Sequence, residues 1–168
     1  ALMLRNDFAF FEATLAAALV GAYATPLNWH FTAEEAGFIL RDSGARVLVV
    51  HADLWPRIES GVPGGVTVLA VPTPPEIRAA YGIGDASAAI PSGLAAWDEW
   101  LAGHAPMAGE APQPRSSMIY TSGTTGRPKG VRRRPATPEI AAENERVAAK
   151  VFGLVPGAPA TVLMNGPM

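Results

Sequence analysis

Apolar residues recur along this chain at two spacings, and the change from one to the other outlines its elements. Phe8, Phe11, Leu15, Leu19 and Ala22 fall three or four residues apart, the period of a helix with an apolar stripe. Asn6 or Asp7 can cap its start and Gly21 can end it in a left-handed conformation. Residues 23–26 then read as a short strand or extended link. Thr32-Ala33-Glu34-Glu35 has the form of a capping box, opening a helix that turns Ala36, Ile39 and Leu40 inward and ends near Gly44. Val47-Leu48-Val49-Val50 is an unbroken apolar run, as expected of a strand covered on both faces, and residues 66–71 repeat it. Helices alternating with such strands predict an α/β fold, layered helices on a mostly parallel sheet.

The pattern lapses over residues 72–92, where Pro72, Pro74, Pro75, Gly82, Gly84 and Pro91 predict an irregular surface connection with a short helix over 76–81. Leu94, Trp97 and Leu101 share a face of a short helix ending at Gly103. A second loose link, residues 105–115, leads into Met118-Ile119-Tyr120, which reads as a short buried strand. Thr137-Pro138 begins a further helix, with Ile140, Val147, Ala148 and Val151 as its buried stripe and Gly153 as its stop. Residues 160–164 are expected to return to the sheet.

At 168 residues, 49% hydrophobic and 17% charged, the composition is that of an ordinary globular chain with one core. A net charge of −2 provides no electrostatic footprint for nucleic acid or an anionic membrane. The absence of cysteine removes disulfides, thiolate metal sites and a cysteine nucleophile, and is compatible with a cytoplasmic setting. Residues 14–24 mimic the apolar core and small-residue cleavage site of a secretory signal, but Asp7 and Glu12 stand where a basic segment belongs, so an amphipathic helix is the better reading. The run is also too short to span a bilayer.

The chemistry concentrates in Tyr120-Thr121-Ser122-Gly123-Thr124-Thr125-Gly126-Arg127-Pro128-Lys129-Gly130. Its glycines let backbone amides approach a bound group, its hydroxyls add rotatable donors, and Lys129 adds a positive charge, a combination suited to phosphate oxygens. The spacing is not that of the common phosphate loop, because Lys129 lies three residues past Gly126 and is followed by Gly130 rather than Ser or Thr. The bland alternative is a Gly/Ser/Thr-rich turn closing a hairpin. The density of specified positions favours the functional reading, with the loop leaving the end of a sheet strand.

This stretch closely resembles the AMP-binding signature of the adenylate-forming superfamily, which includes acyl-CoA synthetases, luciferases and peptide-synthetase adenylation domains. A second, looser resemblance lies in Leu19-Val20-Gly21-Ala22-Tyr23-Ala24-Thr25-Pro26-Leu27-Asn28, at the correct distance upstream. Pro26-Leu27-Asn28 and Thr124 look more like acyl-CoA synthetases than amino-acid-activating domains. The resemblance implies that residues 1–168 are part of a large N-terminal AMP-binding domain, with the small C-terminal domain and its lysine outside the chain. It also implies ATP-dependent activation of a small carboxylic acid to an acyl adenylate, then transfer to coenzyme A. On this reading Thr121, Ser122, Gly123, Thr124, Thr125, Gly126 and Lys129 hold ATP, Lys129 and Thr124 act in catalysis, and the Thr121 hydroxyl lies near Mg²⁺. Product pyrophosphate must leave, so residues 122–127 are expected to be mobile without ATP.

Other candidates carry less. Arg132-Arg133-Arg134 could attract coenzyme A phosphates, although a charge run is usually a solvated face, and these arginines with Pro135 replace the Thr-His that relatives often show. His30, His51 and His104 have no zinc spacing and read as loop or strand-end residues. Trp29 and Trp55 could line an acyl pocket, with core or rim packing the better reading. Two alternatives stay open: a non-enzymatic phosphate-binding module, and an adenylation domain loading a carrier protein. The chain begins without Met and in mid-pattern, so it is expected to be a piece of something longer, inactive by itself. The acid and the oligomeric state are not legible.

Overall fold

A computed structural model of the chain describes residues 1–121, 128–155 and 157–161. It divides into two units, Ala1–Arg133 and Arg134–Met168.

The first unit is built on four parallel strands in the order β1 (Leu2–Met3), β2 (Val47–His51), β3 (Thr67–Val71) and β4 (Ala95–Ala96). The register sets Leu2 beside Val49, Val47 beside Thr67 and Leu69 beside Ala95. Side chains alternate across a strand, so each strand supplies both faces. Met3, Leu48 and Val50 pack with Ala36, Ile39 and Leu40 of α2 (Ala33–Ser43) and with Trp55 and Ile58 of α3 (Trp55–Ile58). Leu2, Val49, Leu69 and Val71 face the other way, against Ala9 and Ala13 of α1 (Phe8–Leu19) and against Trp97. The result is the expected layered α/β arrangement.

Local signals set the helix ends. Asp7 accepts from the Phe8 amide at 2.6 Å to cap α1, and Gly21 follows with φ 68°. The capping box is complete: the Thr32 amide donates to Glu35 Oε2 at 2.8 Å, the Glu35 amide donates to Thr32 Oγ1 at 3.4 Å, and Gly44 ends α2 at φ 66°. Residues 72–92 contain α4 (Pro75–Tyr81) and α5 (Asp85–Ala88), and α6 (Trp97–Ala102) follows β4 directly. Pro26 bridges Leu2 in the extended link.

Expectations at two elements of this unit need correction. The Phe8, Phe11, Leu15 and Leu19 stripe of α1 is exposed, at 82%, 39%, 62% and 52%. Alanine, lacking a bulky side chain, lets the helix approach the sheet closely, so Ala9 and Ala13 form the buried side of a helix that is apolar nearly all round. Met118 is buried, but Ile119, in β5 (Ile119–Thr121), is 47% exposed, because β5 joins no strand of the four-stranded sheet. It pairs antiparallel with β6 (Lys129–Val131).

In the second unit, α7 (Pro138–Phe152) starts at Thr137, whose hydroxyl accepts from the Ile140 amide at 3.4 Å, and stops at Gly153 with φ 63°. Its Ile140, Val147 and Val151 stripe is present but exposed, and α7 contains no buried residue. Of the strand expected over 160–164, Ala160 and Thr161 are irregular and the rest lies outside the described residues.

Candidate functional site

The hairpin of β5 and β6 carries both flanks of the signature. Its register places Ile119 opposite Val131, Tyr120 opposite Gly130 and Thr121 opposite Lys129. Opposed residues of an antiparallel pair project to the same side, and successive residues to opposite sides. Thr121 and Lys129 therefore share one face with Ile119 and Val131, and all four are exposed. A hydroxyl and an ammonium group stand side by side at the mouth of the loop. Ser122, Gly123, Thr124, Thr125 and Gly126, together with the mobility expected of 122–127, lie outside the described residues. The pairing is also the hairpin that the bland alternative expected, rather than a loop leaving a strand of the main sheet.

Tyr120 and Gly130 occupy the opposite face. A Cβ on Gly130 would stand 2.7 Å from Tyr120 Cζ, so the ring lies directly over the glycine and leaves no room for a side chain. The Tyr120 hydroxyl donates to Asp42 Oδ2 of α2 at 2.5 Å. Burial of the phenol, with the Asp42 hydrogen bond and charge added, pushes its pKa well above the ordinary 10.0 and keeps it a donor. The Met118 amide donates to the Ala24 carbonyl at 2.7 Å, fixing the start of the hairpin to the extended link.

Just past the hairpin, the Tyr23 hydroxyl donates to the Arg133 carbonyl at 3.0 Å and accepts from Arg115 Nη1 at 3.0 Å. The guanidinium carbons of Arg115 and Arg132 lie 4.9 Å and 5.3 Å from the centre of its ring. Arg132 is exposed, as expected of a solvated charge run, yet it has this aromatic partner.

A polar centre that the sequence did not announce lies at the C-terminal ends of β1, β2 and β3. Arg5 Nη1 and Nη2 donate to Asp53 Oδ1 and Oδ2 at 2.8 Å and 2.7 Å, and Thr73 Oγ1 donates to Asp53 Oδ1 at 2.6 Å. Burial alone would raise the Asp53 pKa; the Arg5 and Thr73 hydrogen bonds outweigh it and hold the carboxyl below its ordinary 3.8. The buried His51 accepts the Arg5 amide on Nδ1 at 3.1 Å, so its proton sits on Nε2, 3.2 Å from Asp7 Oδ2. Desolvation lowers its pKa below 6.5 despite Asp7. The available signal was positional: each of these residues stands at, or within two residues of, the end of an apolar run. The centre is closed and largely buried, a structural tie.

Trp29 and Trp55 take up packing roles. Trp55 sits in the core and Trp29 lies beside the Arg5 guanidinium, whose carbon is 4.9 Å from the ring centre. A cleft of about 760 Å³ opens instead between α1, the sheet and α6, lined by Ala13, Ala17, Leu69, Trp97 and Trp100. His30 lies against Trp29 and His104 against Trp100, the ring planes tilted by 30° and 34°. Among the described residues, no group of three His, Cys, Asp or Glu side chains is placed to hold a metal ion, and no helix is long and apolar enough to cross a membrane.

Comparison with known proteins agrees with this geometry. The family model described as AMP-binding enzyme matches residues 1–135. A long-chain-fatty-acid–CoA ligase of Mycobacterium tuberculosis is 35% identical over 131 residues, covering 78% of this chain and 23% of the relative. A fatty acid–[acyl-carrier-protein] ligase of Streptomyces coeruleorubidus is 32% identical over 123 residues, covering 73% and 20%. Among solved structures, an anthranilate CoA ligase in complex with anthranoyl-AMP superposes with a TM-score of 0.64 at 25% identity, covering 92% of this chain and 27% of that one. The chain spans about a fifth to a quarter of the length of these curated relatives. With the family model matched across the sheet, its helices and the hairpin, the chain belongs to the AMP-binding enzymes, the adenylate-forming superfamily.

Proposed function

We propose that the full-length protein activates a carboxylic acid with ATP, with the hairpin as the part that receives the polyphosphate. The observation that carries this is the pairing of Thr121 with Lys129 on one exposed face at the two ends of a glycine- and hydroxyl-rich segment. A carboxylate oxygen of the acid forms a bond to the α-phosphorus of ATP as the bond to the bridging oxygen of pyrophosphate breaks, giving acyl adenylate and pyrophosphate. Charge accumulates on the departing group, and pre-positioned donors are the main means of stabilising it. The Lys129 ammonium and the Thr121 hydroxyl are such donors, joined on this reading by the amides and hydroxyls of Ser122, Gly123, Thr124, Thr125 and Gly126.

In the second half-reaction a thiol attacks the acyl carbon and AMP leaves. The matched relatives include both a coenzyme A ligase and a carrier-protein ligase. We assign coenzyme A as the acceptor, on the Pro26-Leu27-Asn28 segment and Thr124. A role of Arg132 toward its phosphates would compete with the contact to Tyr23. Mg²⁺ would find in Thr121 one oxygen ligand, and among the described residues no group of three His, Cys, Asp or Glu side chains to complete a site. Residues 1–168 are assigned to part of the N-terminal AMP-binding domain, inactive alone, in a cytoplasmic enzyme.

Exchange of labelled pyrophosphate into ATP, dependent on added acid, tests the reading in the full-length protein. Lys129→Ala should slow exchange by about 100-fold, the scale of one lost transition-state donor. Unchanged exchange would remove Lys129 from the site, and ATP binding without any exchange would favour the non-enzymatic module.

A further inference from the structure

Asp42 lies outside the signature, 78 residues before Tyr120, and nothing about its own helix explains it. It stands in the last turn of α2, next to Ser43 and the Gly44 cap, where the partial negative charge of the helix end favours cations such as the neighbouring Arg41. A carboxylate there is locally unfavourable. What the position gains is the Tyr120 hydroxyl at 2.5 Å. That bond sets the Tyr120 ring over Gly130, which has no side chain to obstruct it. Because Tyr120 and Gly130 are opposed in the ladder, the ring clasps both strands from one side. Their neighbours Thr121 and Lys129 are then directed to the other side.

We propose that Asp42 is a positioning residue of the phosphate site: through the Tyr120 hydroxyl it latches one face of the β5–β6 hairpin to α2, and so fixes Thr121 and Lys129 on the opposite face. The proposal rests on the phosphate-holding reading above and deepens it. Asp42 touches no substrate; it acts through Tyr120. The same geometry accounts for the first and last positions of the signature, Tyr120 and Gly130, as the anchored side of a device whose other side carries the donors.

The test uses the full-length protein with Asp42→Ala, Tyr120→Phe and the double variant. Tyr120→Phe keeps the ring on Gly130 and removes only the hydroxyl, so the fold has no reason to fail. Two quantities are read: the dissociation constant for ATP alone, and hydrogen exchange at the amides of residues 119–121 and 129–131. Each single variant should weaken ATP binding by about tenfold, the lower end of what one charge-assisted hydrogen bond is worth, and accelerate exchange along the hairpin. The double variant should be no worse than either single, because both remove the same bond. Independent, additive effects of the two substitutions would overturn the latch, as would hairpin exchange in Asp42→Ala equal to wild type. Faster exchange with unchanged ATP affinity would overturn the positioning role. A wild-type protein that does not bind ATP would instead sink the phosphate reading, while the exchange comparison still decides whether the latch exists.

Discussion

Asp53→Ala should be among the most damaging single substitutions in this chain, although it touches no proposed ligand. The Asp53 carboxylate receives three hydrogen bonds, two from the Arg5 guanidinium and one from Thr73, and the Arg5 and Asp53 side chains are each only 7% exposed. Removing it leaves the guanidinium buried against Trp29 and Tyr81, its carbon 4.9 Å from each ring centre, with no counter-charge. Breaking a buried pair from one side costs about 3 kcal/mol or more, since the surviving charge keeps its desolvation penalty. For a chain of this size that corresponds to a fall in melting temperature of about 6–12 °C. Thermal unfolding followed by far-ultraviolet circular dichroism measures it. The companion Arg5→Met with Asp53→Leu removes both charges and should recover most of the loss. A cost below about 1 kcal/mol for Asp53→Ala would refute the reasoning, as would a double variant as unstable as the single, which would make the loss one of packing.

Acid should destabilise the protein in two stages. His51 is buried in its neutral form with a lowered pKa, so the unfolded state takes up more protons below the ordinary 6.5 and stability declines as pH falls through that region. The depressed Asp53 carboxyl contributes stability above its ordinary 3.8 that is lost at more acidic pH, as the folded carboxyl protonates. A melting temperature that stays flat between about pH 7.5 and 5 would contradict the His51 assignment. Gly61→Ala should fail to yield a stable protein, because its Cβ would lie 1.9 Å from the Ala33 carbonyl oxygen, whereas Gly64→Ala, with nothing within 4 Å, should be tolerated. Equal expression and melting temperature of the two variants would show that α2 can yield at this contact.

The sequence carried the local chemistry well and the partners of each face poorly. Asp7, Thr32, Gly44, Thr137 and Gly153 cap and stop their helices as their residue types dictate, because capping is settled within a few residues. The largely apolar runs at 47–50 and 66–71, exposed near their starts and buried at their ends, found their parallel pairing for a similar reason: a strand covered on both faces reads as a near-continuous apolar run. Periodicity, by contrast, groups residues on one side of a helix without saying what that side meets. It grouped Phe8, Phe11, Leu15 and Leu19 correctly, yet Ala9 and Ala13 are what the sheet accepts. Likewise, Ile119 belongs to an apolar run whose outward neighbour lies on a separate hairpin, a fact of topology rather than of composition.

The same distinction explains why the motif pointed to the family while fold-level reasoning misplaced its signature relative to the main sheet. Parallel α/β sheets usually bind ligands beyond the C-terminal ends of their strands, and a signature following an apolar run suggested that position here. In this chain the ends of β1, β2 and β3 are closed over by Arg5, His51, Asp53 and Thr73, with the Arg5 guanidinium held by the Asp53 carboxylate and His51 Nε2 facing Asp7, although Arg5 Nε is buried without a partner among the described residues. The proposed phosphate segment instead sits on a hairpin outside that sheet, held by Asp42, Ala24 and Tyr23. None of these three lies within the signature. A hairpin tethered at a few points can adjust when pyrophosphate forms and departs without disturbing the buried ion pair that secures the sheet. Separating the rigid tie from the ligand-holding segment in this way predicts that Asp53→Ala lowers stability with little effect on ATP affinity of the folded fraction, and that Asp42→Ala does the reverse.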